Sequence, residues 1–326
     1  MLTIILAFLS SLVITAVSGL FIIPWLRKLK MGQTILEDGP VWHKSKQGTT
    51  VMGGLTFGLG TIVSTLIFSI PYFKAHDFTG LLVLIPAVLF GAVGAFDDLV
   101  KVTKKRNKGL TALQKLILQV AVAVLFVVAL QYTKNITGAV PIPFTNVTLR
   151  LPWLVFIILA AIFVTGTDNA TNLTDGIDGL LSGTTLPLAV FFALACTLKF
   201  EGANASVAVP AAALAGGLVG FLIYNYHPAK VFMGDTGSLF IGGMLSTMSL
   251  AIGNPLLLVV MGLFFYWETL SVMLQVGYFK LTHGKRIFKM APFHHHLEMC
   301  GWNEYKIFWT FTIFHAVMCV ISWFAI

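Results

Sequence analysis

The chain has 326 residues, of which 57% are hydrophobic and only 10% charged, with a formal net charge of +8. A soluble globular domain carries about 25% charged residues, so the composition excludes that class and points to an integral membrane protein. The three cysteines, Cys196, Cys300 and Cys319, imply neither a disulfide framework nor a cysteine metal site, and the basic excess reads as the positive-inside bias of a membrane chain rather than as a nucleic-acid surface.

About 20 apolar residues span a bilayer. Ten stretches qualify approximately: Thr3–Leu26, Val51–Ile70, Gly80–Phe96, Leu113–Gln131, Leu151–Thr167, Leu180–Leu198, Ser206–Tyr224, Ser238–Ile252, Pro255–Tyr278 and Tyr305–Phe324. The first lacks a basic leader and a small-residue cleavage site, so it reads as a retained helix. The eighth is short and rich in glycine. These are long apolar runs, not the short alternation of a β-barrel, and the whole of 1–326 reads as one all-α polytopic domain. Tyr132–Arg150, with Pro141, Pro143 and Asn146, reads as a small hairpin outside the membrane.

All but four of the 21 Lys and Arg residues fall in one set of loops; the exceptions are Lys74, Lys134, Arg150 and Lys199. That set is expected to be cytoplasmic, which puts both termini on the extracytoplasmic side. Most acids sort to the same face, Glu37 and Asp38 among them, and only Asp77 and Glu201 fall opposite. The rule concerns cations and does not require this of acids, so chemistry is expected at the cytoplasmic face.

Four motifs carry that expectation. Asp97 and Asp98 end the third stretch, ahead of a basic segment with Lys101, Lys104, Lys105, Arg106 and Lys108. The lysines can neutralise the acids or hold a phosphate, and a plain solvated helix end is the alternative. Asn172-Leu173-Thr174-Asp175-Gly176-Ile177-Asp178-Gly179 lies between two apolar runs. Carboxylates there are expensive and mark function; if the stretch opens a helix, Asp175 and Asp178 share a face. Phe232-Met233-Gly234-Asp235-Thr236-Gly237-Ser238 puts a carboxylate among small and hydroxyl residues at a helix start, which suits magnesium and phosphate; capping by Thr236 or Ser238 is the alternative. His294, His295 and His296 are consecutive, so they lack helical zinc spacing and suit an anionic or sugar ligand better. Gly48–Gly54 reads equally as a ligand approach or as helix packing. Together, hard oxygen donors and lysines at one membrane face predict magnesium-dependent phosphoryl transfer to a lipid.

These motifs, with Pro292-Phe293-His294-His295-His296-Leu297-Glu298 and Gly301-Trp302-Asn303-Glu304, resemble the polyprenyl-phosphate N-acetylhexosamine-1-phosphate transferases, and the histidine stretch resembles their muramoyl-pentapeptide branch. The resemblance covers nearly the whole chain. It implies a reaction of UDP-MurNAc-pentapeptide with undecaprenyl phosphate, giving lipid I and UMP, with Mg2+, in the bacterial plasma membrane, and a homodimer. Carried over, Asp235 is the main magnesium ligand, with Asp98 and Asp175 beside it. Asp98 is the base or the nucleophile, and Asp97 supports metal or phosphate. Asn172 and Asp175 form the polar floor. Gly176, Asp178, Asn225 and Phe232 hold uridine, and His294, His295 and His296 contact the donor. Lys46 and Lys115 are phosphate partners. The departure is Thr50-Val51, where the family usually has Pro-Thr. A sister enzyme using UDP-GlcNAc and a cation-coupled transporter are the rival readings.

Overall fold

The computed structural model describes residues 1–32, 46–103, 109–134, 138–200 and 202–326. Glu37, Asp38, Lys44, Lys104, Lys105, Arg106, Lys108 and Glu201 lie outside the described residues. Thirteen α-helices are seen among the rest: α1 Leu2–Lys28, α2 Gly54–Phe68, α3 Ile70–Lys74, α4 Thr79–Thr103, α5 Ala112–Lys134, α6 Trp153–Thr174, α7 Leu180–Leu198, α8 Ala208–Asn225, α9 Gly234–Ala251, α10 Pro255–Met261, α11 Leu263–Leu281, α12 Phe293–Met299 and α13 Glu304–Ser322. The hairpin is there too, as β1 Ala139–Pro141 antiparallel to β2 Thr148–Arg150.

Among the described residues, seven helices are long and apolar enough to cross a membrane, or eight if α10 and α11, bent by 78° at Gly262, count as one span. The protein is therefore multi-pass. Two of the ten expected stretches do not meet that test. Helix α2 has 15 residues, about 22 Å of helix at 1.5 Å per residue, against a hydrocarbon core of about 30 Å. Helix α9 is diluted by Gly, Ser and Thr, and its residues from Thr236 to Ala251 are all buried. It faces protein rather than lipid.

That burial sets the architecture. Helix α9 lies against α4, α6 and α2, while α8 lies against α1, α2 and α7. Helix α1 shows the pattern of a peripheral span: Ile4, Ala7, Ser11, Thr15, Gly19, Ile23 and Leu26 form its buried stripe, and Leu9, Val13, Leu20 and Phe21 point outward. Association in a lipid medium cannot draw on apolar burial and depends on close packing of small residues. The α4–α9 crossing shows it. A Cβ added at Gly94 would collide with the Asp235 carbonyl, and one added at Gly243 would meet Phe90 and Ala87.

Two helix ends differ from the sequence expectation. Helix α4 does not stop at Asp97-Asp98 but continues to Thr103. Lys101, one turn on, stands 2.7 Å from Asp97 and 3.7 Å from Asp98, so continuing the helix pairs the acids. Conversely, the stretch with Asp175 and Asp178 opens no helix. Helix α6 ends at Thr174, α7 begins at Leu180, and Gly179 sits at φ 72°. A left-handed residue between two glycine-bearing turns breaks the helix, so the two acids face different partners.

Gly94→Ala tests the close crossing. It should separate α4 from α9 and cost about 2 kcal/mol, read as a lower thermal midpoint in detergent. Gly58→Ala, where an added Cβ meets nothing within 4 Å, should not lower the midpoint and should raise it slightly through the better helix propensity of alanine.

Candidate active site

Helix α9 begins with four backbone N–H groups that have no partner in their own helix. Here the cap is a carboxylate from another helix. Asp98 accepts from Asp235 N at 3.2 Å, Thr236 N at 3.0 Å and Thr236 Oγ1 at 2.7 Å. A negative charge at a helix N-terminus is electrostatically favoured. Thr236 is thus a donor to the cap, not the cap itself, and Gly234 at φ 70° makes the turn that admits Asp98.

Around this joint lie three carboxylates and two ammonium groups. Asp97, Asp98 and Asp235 each offer an oxygen such that the three lie within 4.8 Å of one another. Asp97 and Asp98 are only 3% exposed. Lys101 Nζ is 3.1 Å from Asp235 and Lys115 Nζ 2.8 Å from the same oxygen. Asn172 donates to Asp235 Oδ1 at 3.0 Å and to Ser238 Oγ at 2.8 Å, and its own oxygen lies 3.4 Å from Lys115 Nζ. Asp97 also accepts from Leu110 N at 2.7 Å. Helices α4, α5, α6 and α9 therefore meet at one polar point. One turn further along, Gln119 donates to Asp168 at 2.6 Å and accepts from Asn169 at 3.2 Å, which fixes α5 against α6 and so places Lys115.

A second cluster lies past the end of α6. Lys46 Nζ is 2.7 Å from Asp178 and 2.6 and 2.7 Å from the two Glu304 oxygens. The other Asp178 oxygen lies 2.8 Å from His227 Nδ1 and accepts from Ala229 N at 2.9 Å. Glu304 also accepts from Asp178 N at 3.0 Å. Asp178, His227 and Glu304 form the second group with metal-ligand spacing among the described residues. Lys46, expected beside a phosphate, is instead engaged here.

Asp175 stands between the clusters and is half-buried. Burial, then the charges of Asp235, Asp98 and Asp178, hold its carboxyl well above the ordinary carboxylate range. Gly176 packs against the His294 ring. Asn225 is buried; it donates to Val231 O at 3.0 Å and accepts from Ser182 at 3.3 Å, so it holds its own loop. Phe232 is half-buried, and its backbone pairs with Thr50 and Gly53 at 2.8 Å each. The Gly48–Gly54 stretch is thereby stitched to the start of α9. The three histidines separate: His294 is fully buried, His295 Nδ1 lies 2.6 Å from Glu298, and His296 Nδ1 accepts from Lys289 N at 3.1 Å. None belongs to a metal-spaced group among the described residues.

Lys101 stands where the sequence places a lysine able to neutralise these acids; His227, Gln119 and Asp168 are brought to the site by the structure alone. The first cluster suits a divalent cation by its donor set: three carboxylates with hard oxygen atoms, and lysines close enough to take up a phosphate.

Asp175→Asn should lower turnover and at the same time raise the thermal midpoint at mildly alkaline pH. The fold disfavours the ionised form relative to the unfolded chain, so a neutral isostere relieves that cost. Scanning calorimetry beside an activity assay checks both signs.

Comparison with known proteins identifies the family. A family profile, glycosyl transferase family 4, matches residues 80–253. A phospho-N-acetylmuramoyl-pentapeptide-transferase of Clostridium botulinum is 44% identical, covering 99% of this chain and 97% of its own length. Enzymes of that name from Halalkalibacterium halodurans and Listeria welshimeri are 43% and 42% identical, covering 98% and 97% of this chain and 96% and 95% of theirs. With a profile over half its length and relatives at this identity from end to end, the chain belongs to the phospho-N-acetylmuramoyl-pentapeptide-transferase family within glycosyl transferase family 4.

Proposed function

We propose that the protein transfers phospho-MurNAc-pentapeptide from UDP-MurNAc-pentapeptide to undecaprenyl phosphate, giving lipid I and UMP for peptidoglycan synthesis. The observation that carries this reading is the meeting of Asp97, Asp98 and Asp235 with Lys101 and Lys115 at one point, in a chain of this family. Phosphoryl transfer needs positioning and charge neutralisation above all, and these groups supply both.

In this reading the reacting face is cytoplasmic, both termini are extracytoplasmic, and α2 and α9 complete ten membrane segments in a single domain. An oxygen of the lipid phosphate attacks the sugar-bearing phosphorus of the donor. The bond to the UMP oxygen breaks, and UMP leaves. Asp98 takes the proton of the lipid phosphate, or forms the first bond itself in a two-step course. Lys101 and Lys115 turn from the carboxylates to the phosphates. Asp97, Asp98 and Asp235 would hold Mg2+, with Asp175 nearby; the ion neutralises phosphate charge when bound. Asn172 keeps Asp235 in place. Phe232, only partly buried, stacks on uracil, and the turn at Gly176 and Asp178 borders the nucleoside. His295 and His296 reach the donor's sugar or phosphates, and a homodimer is the assembly.

The lipid has a place to lie. An apolar groove of about 450 Å³ runs between α5 and α6, lined by Leu116, Val120, Val124, Ile158, Ile162 and Asn169 among others. Asn169, which lines the groove, bonds Gln119, one turn from Lys115, so the groove lies along the two helices that carry Lys115 and Asn172.

The test is UMP release by detergent-purified protein given donor, polyprenyl phosphate and Mg2+. Release should require all three and stop with EDTA, and UDP-GlcNAc should not replace the donor. Turnover with UDP-GlcNAc alone would assign the sister reaction, and uptake into liposomes without UMP release would assign a transporter. Asp235→Asn should abolish release. Asp77→Asn should be nearly silent, because Asp77 only accepts from Thr79 N and Oγ1, at 3.0 and 2.7 Å, and an amide oxygen can do the same.

A further inference from the structure

Helix α11 carries an acid that the proposed reaction does not use. Glu268 is 0% exposed. A carboxylate inside a membrane segment is costly and is kept for a reason. Its partners are two backbone groups of the histidine segment: Oε2 accepts from Phe293 N at 2.6 Å, and Oε1 accepts from His294 N at 3.1 Å. Two turns along the same helix, Gln275 grips the segment again. It accepts from Ile287 N and Phe288 N at 3.1 and 3.0 Å and donates to Phe288 O at 3.1 Å. Helix α11 thus holds residues 287–294 at two points, and only Glu268 reaches the histidines.

The His294 ring is set by that grip and not by hydrogen bonds of its own. Nδ1 stands 3.2 Å from Glu268 Oε1, and neither ring nitrogen is aligned for a hydrogen bond. Buried polar atoms without partners are uncommon and call for an explanation. The explanation is steric. The Nε2 edge fills the space that a side chain at position 176 would occupy. Gly176 is glycine because His294 is there, and His294 is there because Glu268 fixes its backbone.

We infer that Glu268 is a positioning residue for donor binding: through His294 and Gly176 it sets the place of the turn that carries Asp175 and Asp178. This rests on the donor site proposed above. Among the described residues, Lys115 and the α5–α6 groove make no direct contact with Glu268, His294 or Gly176 and meet the turn only through Asn172, so the larger effect falls on the donor.

The experiment is steady-state kinetics of Glu268→Gln with both substrates varied, beside a thermal melt. The amide keeps the shape but supplies one acceptor where two N–H groups need one each. Loss of one hydrogen bond to a charged group predicts about a tenfold rise in donor KM, with the polyprenyl phosphate KM unchanged and the thermal midpoint lowered, because one buried N–H is left without an acceptor. Gly176→Ala presses the same joint from the other side and should give the same split if Glu268→Gln does not fold. The double variant should be no worse than the worse single, since the two residues act through one contact. Equal changes in both KM values, a fully additive double variant, or wild-type kinetics in both singles would overturn the inference. Wild-type protein without turnover would overturn the donor reading beneath it.

Discussion

The structure depends on a carboxylate from one helix capping another. Asp98 of α4 closes the N-terminus of α9 with three hydrogen bonds. Buried N–H groups at a helix start cost about 1–3 kcal/mol each when left without partners. The cap satisfies two of them. It also brings Asp98 beside Asp235, and two acids so close need cations. Lys101 and Lys115 are those cations. Helix packing and site chemistry are therefore one arrangement: the glycine that lets α4 approach α9, Gly94, is as much a part of the site as the acids.

The turn at 175–179 joins two polar clusters of different character. On one side Asn172 belongs to the Asp97–Asp98–Asp235 group. On the other Asp178 is held by Lys46, His227 and Glu304. In the first cluster two lysines face three acids that cap, hydrogen-bond and cluster at once. In the second the contacts are local locks: Lys46 and Glu304 tie the start of α13 to the turn before α7, and Asp178 binds the loop after α8 through Ala229 N. The same residue types gather about a helix start in one place and clasp a turn in the other, and the difference lies in what the acids cap.

Much of this was legible in the sequence because charged residues are scarce in an apolar chain. Asp97, Asp98, Asn172 and Asp235 stood out as motifs, and the structure brings them together. Helix boundaries were less legible. The gain from Lys101 one turn beyond Asp98 carries α4 onward, and the left-handed Gly179 prevents Asp175 and Asp178 from sharing a helical face. Partnerships across the chain outside those motifs were not legible. Lys46 meets Glu304 across 258 positions and His315 bonds Thr184 O across 131, and no local pattern announces such contacts. The resemblance assigns Asn225 and His294 to the donor; the structure adds that each also packs against protein, Asn225 through Val231 O and Ser182 and the His294 ring against Gly176.

The central claim is that the divalent cation belongs to the acids at the α4–α9 joint. Electron paramagnetic resonance of Mn2+ added to the purified protein tests it directly. The account predicts bound Mn2+ in the wild-type protein, lost in Asp235→Asn and retained in Asp178→Asn. Loss in Asp178→Asn with retention in Asp235→Asn would contradict it and move the metal to the Asp178–His227–Glu304 cluster.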